Sequence, residues 1–256
     1  MSKNLFTLIY SDLIAAKKRD PAARNHFEIF FTYSGFHAIF FHRFSNLLWK
    51  IKLKFVARFL SSITRILTSI EIHPSAQIGH SFFIDHGAGL VIGETSIIGN
   101  NVTMYQQTTL GGLSPSIDSI SQRNVKRHPT LEDNVIIGSG AQVLGPVVIG
   151  SNSRIGANAV VLNDVPPNMT FVGIPARKIQ SEIKKNSESF DAYGICEGKI
   201  DDPNKKSINA LFKEIHILNE KILELQNKLS QQQKVGDNFR IKQRDKKKIK
   251  DKQDIL

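Results

Sequence analysis

Three places in this 256-residue chain combine residue types suited to chemistry, and each interrupts an otherwise regular pattern. In Ile84-Asp85-His86-Gly87 an imidazole sits between a carboxylate and the flexible run Gly87-Ala88-Gly89. Imidazole titrates near neutral pH and therefore serves proton transfer; read alone, the same His is a solvent-exposed or capped side chain. Glu71 supplies a carboxylate just before Ile72, where the pattern begins. Arg127-His128 places a guanidinium beside a second imidazole, where the pattern resumes after a break at 113–130. His73, His80, His86 and His128 lack tight metal-ligand spacing and come without a Cys cluster, so no zinc site is expected.

The pattern that must position these residues has a period of six. Apolar residues recur at Ile72, Ile78 and Ile84, again at Ile92, Ile98, Met104 and Leu110, and then at Leu131, Ile137, Val143, Ile149, Ile155 and Val161. The register slips by two after Ile84 and is broken by 113–130. Neither a helix, near 3.6, nor a half-buried strand, at 2, explains a sustained period of six. A parallel β-helix does: each hexad is one short strand and a corner, three hexads close a coil, and the apolar residue points into the shaft. Glycine after the apolar position, as at Gly79, Gly93 and Gly138, suits the tight corner. His86, two places beyond an inward Ile84, then faces outward.

The flanks differ in kind. Residues 4–70 hold dense apolar residues and good helix formers, read as two or three helices with Pro21 near a helix start. Nine Phe between Phe27 and Phe59 form a helix–helix core or a subunit contact; the basic run Lys50 to Arg58 also admits a membrane-surface reading. Beyond the repeat, Ile208, Leu211, Ile215, Leu218, Ile222, Leu225 and Leu229 form a heptad seam. The expected organisation is a helical region 1–70, a β-helix 71–178, a connector 179–206, a coiled-coil helix 207–232 and a basic tail 233–256. The net charge of +11 divides as +8 in 1–70, −1 in 71–180, −1 in 181–233 and +5 in 234–256. The near-neutral centre argues against nucleic-acid binding by the body of the protein. The longest apolar stretch, Ile29 to His42, is too short to span a membrane, no signal-peptide pattern opens the chain, and Cys196 is the single Cys. Together these predict a cytoplasmic protein with no membrane span.

Several of these segments together resemble serine O-acetyltransferase, of the hexapeptide-repeat acyltransferase family. They are Ile72-His73-Pro74, Phe83-Ile84-Asp85-His86-Gly87, Val91-Ile92-Gly93-Glu94-Thr95, Leu110-Gly111-Gly112, Arg127-His128-Pro129 and Val172-Gly173-Ile174-Pro175-Ala176-Arg177. The likeness extends to Arg19-Asp20-Pro21-Ala22 and Gly35-Phe36-His37-Ala38 ahead of the repeat, and to Phe190-Asp191-Ala192-Tyr193-Gly194 after it. The resemblance implies an α + β protein, N-terminal helices followed by a left-handed parallel β-helix. It also implies acetyl transfer from acetyl-CoA to the hydroxyl of L-serine, the first step of cysteine biosynthesis, with no metal.

By that resemblance His86 is the general base and Glu71 the carboxylate that orients it. Asp20 and Asp85 hold the serine ammonium, Arg127 and His128 hold its carboxylate, and Gly112, Ser139, Arg154 and Ala157 lie along the CoA arm. A homotrimer follows, or a hexamer if two trimers pair, together with feedback inhibition by cysteine. Three features depart from the family pattern. Glu71 stands where Asp is frequent, the 113–125 loop lacks a short Thr-Gly-Lys type segment, and the chain ends Asp254-Ile255-Leu256. Long members end in an Ile that enters the partner enzyme O-acetylserine sulfhydrylase; here Leu256 occupies that place. Two other readings stay open on the residues alone: a hexapeptide acetyltransferase acting on an amino-sugar or another hydroxyl, and a non-catalytic trimeric scaffold.

Overall fold

The computed structural model describes residues 4–113, 120, 122–123, 125–179 and 210–226. The chain divides into two units, Met1–Ile200 and Asp201–Leu256. In the second, residues 210–226 form a helix whose side chains are exposed throughout, including Leu211, Ile215, Leu218, Ile222 and Leu225 of the heptad seam. The remainder of the expected coiled-coil segment, most of the connector and the basic tail with Leu256 lie outside the described residues.

The first unit opens with four helices: α1 (Leu5–Arg19), α2 (His26–Thr32), α3 (Ser34–Lys50) and α4 (Lys54–Thr68). Asn4 and Asn25 cap the first two, their side chains accepting from the N–H groups of Thr7 and Glu28. Glu28 reaches back to the Arg24 N–H, completing a box that starts α2 sharply. Pro21 does not start a helix: α1 ends at its cap Asp20, and Pro21 lies in the turn that follows. Pro is as well suited to stopping a helix as to opening one, and that alternative holds here.

Among the described residues fifteen short strands follow and stack into three faces of a prism. Face A holds β1 (Glu71–Ile72), β4 (Val91–Ile92), β7 (Thr109–Gly111), β10 (Gln142–Leu144) and β13 (Val160–Val161). Face B holds β2 (Gln77–Ile78), β5 (Ile97–Ile98), β8 (Thr130–Leu131) and β11 (Val148–Ile149). Face C holds β3 (Phe83–Ile84), β6 (Thr103–Met104), β9 (Ile136–Ile137), β12 (Arg154–Ile155) and β14 (Thr170–Val172), closed by β15 (Arg177–Lys178), which pairs antiparallel to β14. Every other pairing between strands is parallel, and the register matches each inward residue to the one a coil later: Ile72 to Ile92, Ile92 to Leu110, Leu110 to Val143, Val143 to Val161. These five are at most 5% exposed, so the sixfold period is the stacking period of the core.

The two breaks in that period have structural counterparts. From Ile84 on face C to Ile92 on face A the chain uses two more residues than a hexad allows, and the surplus forms the corner containing Asp85-His86-Gly87. The second break lies between β7 and β8, at the corner from face A to face B, and returns through Lys126-Arg127-His128.

The helices are fastened to the prism through backbone groups. Arg43 of α3 donates to the carbonyls of Ile78 and Gly79, and Asp12 of α1 accepts the Phe82 N–H at 2.9 Å. Asp12 and Arg43 also pair with each other at 3.0 Å, both nearly fully buried. Burial raises the Asp12 carboxyl to about 6, with Arg43 and the Phe82 N–H opposing that shift. Arg19 donates to the Val102 carbonyl and the Thr103 hydroxyl, both at 3.1 Å, which fixes the end of α1 and with it Asp20. Gly35 is a contact that tolerates no side chain: a Cβ there would lie 2.2 Å from the Ile84 carbonyl oxygen. The start of α3 therefore rests directly on the strand that leads into Asp85-His86.

Candidate active site

The site residues gather at two corners of the prism. At the corner between faces C and A, His86 is exposed and takes a left-handed backbone conformation, φ 58°. That conformation costs an ordinary residue about 1 kcal/mol or more, and the Ser34 hydroxyl holds it by donating to the His86 carbonyl at 3.0 Å. The imidazole Nε2 lies 3.8 Å from an Asp85 carboxylate oxygen. Asp85 is raised above the usual carboxylate range, first by burial and then by the negative charge of Asp20, with His86 opposing. A carboxyl raised by burial and by a neighbouring carboxylate forms a site that a cation would relieve.

Asp20 is held in one orientation. One carboxylate oxygen accepts the Ala22 N–H at 2.7 Å and the other accepts the Tyr33 hydroxyl at 2.6 Å. Burial and the bond to Asp20 push the Tyr33 phenol well above its ordinary value, so it remains a donor. Tyr33 was not a candidate from sequence; its only signal is its place immediately before Ser34-Gly35.

Glu71 begins β1 beside the same corner: its N–H donates to the Leu90 carbonyl, and the neighbouring Ile70 would touch a Cβ placed on Gly87. Its carboxylate, however, accepts from Arg65 of α4 at 3.1 Å, and that is the partner the structure gives it instead of His86.

The second group lies at the corner from face A to face B. Arg127 forms an ion pair with Glu94 and donates to the Gln122 carbonyl at 3.1 Å. Burial alone would raise Glu94, but the hydrogen bond from Arg127 and the charges of His73 and Arg127 outweigh it and lower it. His128 Nδ1 accepts the Thr95 N–H at 3.2 Å and faces the Thr95 hydroxyl at 2.9 Å. Burial, then the Arg127 charge, lowers His128 to about 4. The ring is therefore neutral near pH 7, with Nδ1 occupied as an acceptor and the proton on Nε2. The same Thr95 hydroxyl accepts the N–H groups of Arg127 and His128, both at 3.0 Å. Lys126 donates to the carbonyls of Thr95, His128 and Pro129 and is lowered to about 8 by burial, so it ties down the returning chain. Glu94, Thr95 and Lys126 had no assigned role from sequence, although Glu94-Thr95 follow Gly93 in the repeat.

Of the other positions, Ser139 and Ala157 sit at the C-to-A corners of later coils, in a column with His86. Gln107 donates to the Ala88 carbonyl, Gly140 to that of Gln106 and Asn158 to that of Ser139, linking the corners coil by coil. Arg154 lies on β12 of face C next to that column, while Gly112 stands at the other corner, a Cβ on it lying 3.8 Å from the Arg127 carbonyl.

Two family models match the chain: "Serine acetyltransferase, N-terminal" over residues 1–40 and "Bacterial transferase hexapeptide (six repeats)" over residues 128–163. A serine acetyltransferase of Bacillus subtilis (strain 168) is 49% identical over 180 residues, 70% of this chain and 80% of that protein. The chain belongs to the serine acetyltransferase family. Among solved structures, that of the Neisseria gonorrhoeae serine acetyltransferase in complex with serine is 38% identical with a TM-score of 0.63, over 68% of each chain. A serine acetyltransferase in complex with CoA is 37% identical with a TM-score of 0.62, over 68% of this chain and 69% of that one. The architecture is that of these acyltransferases: N-terminal helices followed by a left-handed parallel β-helix of hexapeptide repeats. Among the described residues no helix is long and apolar enough to cross a membrane.

Proposed function

We propose that this protein transfers the acetyl group of acetyl-CoA to the hydroxyl of L-serine, in a site that two copies of the chain complete. The observation that carries the reading is the separation of charge along face A. One end holds the acids Asp20 and Asp85 with His86; the other holds Arg127 and the Nε2–H of His128. Serine is a zwitterion and needs both. Within one chain the two groups stand at successive corners of the prism, with the width of face A between them. Bringing the C-to-A corner of one copy against the A-to-B corner of the next joins them, and repeating that contact around an axis gives a closed trimer.

In that cleft Asp20 and Asp85 bind the ammonium, while Arg127 and His128 of the second copy bind the carboxylate. A serine hydroxyl, with a pKa far above 7, attacks a thioester poorly unless its proton leaves as the C–O bond forms. His86 takes that proton. The carbonyl carbon becomes tetrahedral, its oxygen bearing the negative charge, and collapse expels CoA thiolate, which receives the proton back from His86. The products are O-acetyl-L-serine and CoA, and the enzyme carries no acyl group between steps. Glu71, one of whose carboxylate oxygens is held by Arg65, has its other oxygen to serve as the acid behind His86. The CoA arm runs down the column of corners through Ser139 and Ala157, beside Arg154, and meets Gly112 of the adjoining copy. The chain works in the cytoplasm, and the reading calls on no metal.

The test is release of CoA from acetyl-CoA with L-serine, homoserine and amino-sugars offered in parallel. L-serine should be preferred, and His86→Ala should lower its turnover at least ~100-fold, the scale of a positioned base. Preference for an amino-sugar, or full turnover by the variant, contradicts the reading.

A further inference from the structure

Lys126 is a cation beside the proposed carboxylate half-site, yet it has no donor to spare for a substrate. An ammonium carries three N–H donors, and all three are engaged. Lys126 Nζ donates to the carbonyls of Thr95 at 2.8 Å, of Pro129 at 3.0 Å and of His128. The path of the chain explains why so many bonds are needed there. Between β7 and β8 the sixfold period fails, and the chain returns through 126–129 ahead of β8. The first ladder bond of that return, among the described residues, runs from the Ile97 N–H to the Pro129 carbonyl at 3.1 Å. Before it, two side chains supply what a ladder would. The Thr95 hydroxyl accepts the N–H groups of Arg127 and His128, and the Lys126 ammonium takes the carbonyls. Among the described residues no other donor reaches the carbonyl of Thr95 or of His128.

We infer that Lys126 is a positioning residue for the serine carboxylate: it fixes the backbone from which Arg127 and His128 project and does not touch the substrate itself. The inference rests on the reading above, in which Arg127 and His128 bind that carboxylate, and deepens it with a residue the reading does not use. The contacts call for a small cation. Three carbonyl oxygens around one nitrogen suit the rotatable donors of an ammonium, whereas a guanidinium presents its donors in one plane. A neutral side chain leaves the carbonyls of Thr95 and His128 without a donor, and a partly buried carbonyl stripped of its partner moves toward water. Burial lowers Lys126 to about 8, so it is still charged at pH 7. His86 stands at the other corner of face A, so loss of Lys126 loosens the carboxylate half-site and leaves the base in place.

The experiment uses the full chain at pH 7 and measures CoA release against each substrate in the wild type, Lys126→Met, Lys126→Ala and Arg127→Ala. Methionine keeps an apolar stem and removes the donors. Alanine leaves room for n-propylammonium, which restores the missing carbons and the ammonium. Both Lys126 variants should raise serine KM at least ~10-fold, the scale of losing bonds to a charged group. Their kcat should stay within about threefold and their acetyl-CoA KM within about twofold of wild type, because only binding of the carboxylate is lost. Added n-propylammonium should bring the serine KM of Lys126→Ala back to within about threefold of wild type. Tetramethylammonium, a cation without N–H donors, should not. An unchanged serine KM overturns the inference, as does an equal rise in acetyl-CoA KM or recovery with tetramethylammonium. If Lys126→Met does not fold, Lys126→Ala with and without n-propylammonium decides. Arg127→Ala separates the two claims. An unaltered serine KM there removes the carboxylate reading and the inference with it; a raised KM there, with Lys126 variants like wild type, removes the inference alone.

Discussion

Replacing Gly93 with Ala tests whether the position of His128 sets serine affinity. Gly93 lies on β4's exit into the A-to-B corner, and its backbone is in a region open to any residue, so the methyl acts by volume alone. A Cβ there would sit 2.0 Å from His128 Cδ2 and 2.2 Å from Nε2. Ordinary contact begins near 3.4 Å, so the ring must withdraw by about 1.4 Å. That displacement breaks the bonds from Thr95 to Nδ1, at 3.2 and 2.9 Å, and turns the Nε2–H away from the carboxylate it is proposed to hold. A misplacement of about 1 Å in a positioning group costs on the order of 100-fold, or about 2.7 kcal/mol. Initial rates of CoA release against each substrate should therefore show kcat/KM for serine lowered about 100-fold, mostly through KM, with KM for acetyl-CoA within about twofold of wild type. A folded Gly93→Ala enzyme with unchanged serine KM would refute the assignment of His128.

Three further outcomes are expected. Tyr33→Phe removes the donor 2.6 Å from Asp20, and loss of one bond to a carboxylate, about 1.5 kcal/mol, should raise serine KM about tenfold with kcat little changed; an unaltered KM would show that Tyr33 does not position Asp20. Burial foremost lowers His42, His73 and His128 to about 3, 4 and 4, so below pH 6.5 the unfolded chain binds protons that the folded one refuses. Stability from these three is full above about pH 6.5 and is lost as the pH falls toward 4; Glu94, lowered, acts with them, while Asp12, raised to about 6, and Asp85, also raised, act in the opposite sense, two groups against four. Thermal unfolding midpoints should fall between pH 7 and pH 5, and a rise would contradict this balance. Removing residues 234–256 should leave kcat/KM for both substrates unchanged, and a large loss would give the basic tail a part in catalysis.

The prism was legible because its core repeats: each inward Ile, Val, Leu or Met must stack on the next coil, and that demand writes itself into every sixth position. His86 and Arg127-His128 were legible as interruptions of the same rhythm, since two extra residues at one corner and a long excursion at another are visible as breaks in count. The partners that hold them were not. Tyr33 reaches Asp20 across 13 residues and Glu94 reaches Arg127 across 33, and no local period records such pairings. The Pro21 expectation failed because φ near −65° suits both the start of a helix and the turn after one. Four helices stand where two or three were expected: Tyr33 caps the end of α2 immediately before α3, and a turn at 51–53 divides α3 from α4.

The shared cleft is the central claim, and mixing two inactive enzymes tests it most directly. His86→Ala and Arg127→Ala would be co-expressed and the CoA-releasing activity of the mixed assemblies compared with each alone. If one copy supplies the base and the next supplies the guanidinium, random closed trimers hold an intact cleft in about one quarter of their sites. Recovery to about a quarter of wild-type turnover is expected. Mixed assemblies no more active than the separate variants would mean that each chain builds its site alone.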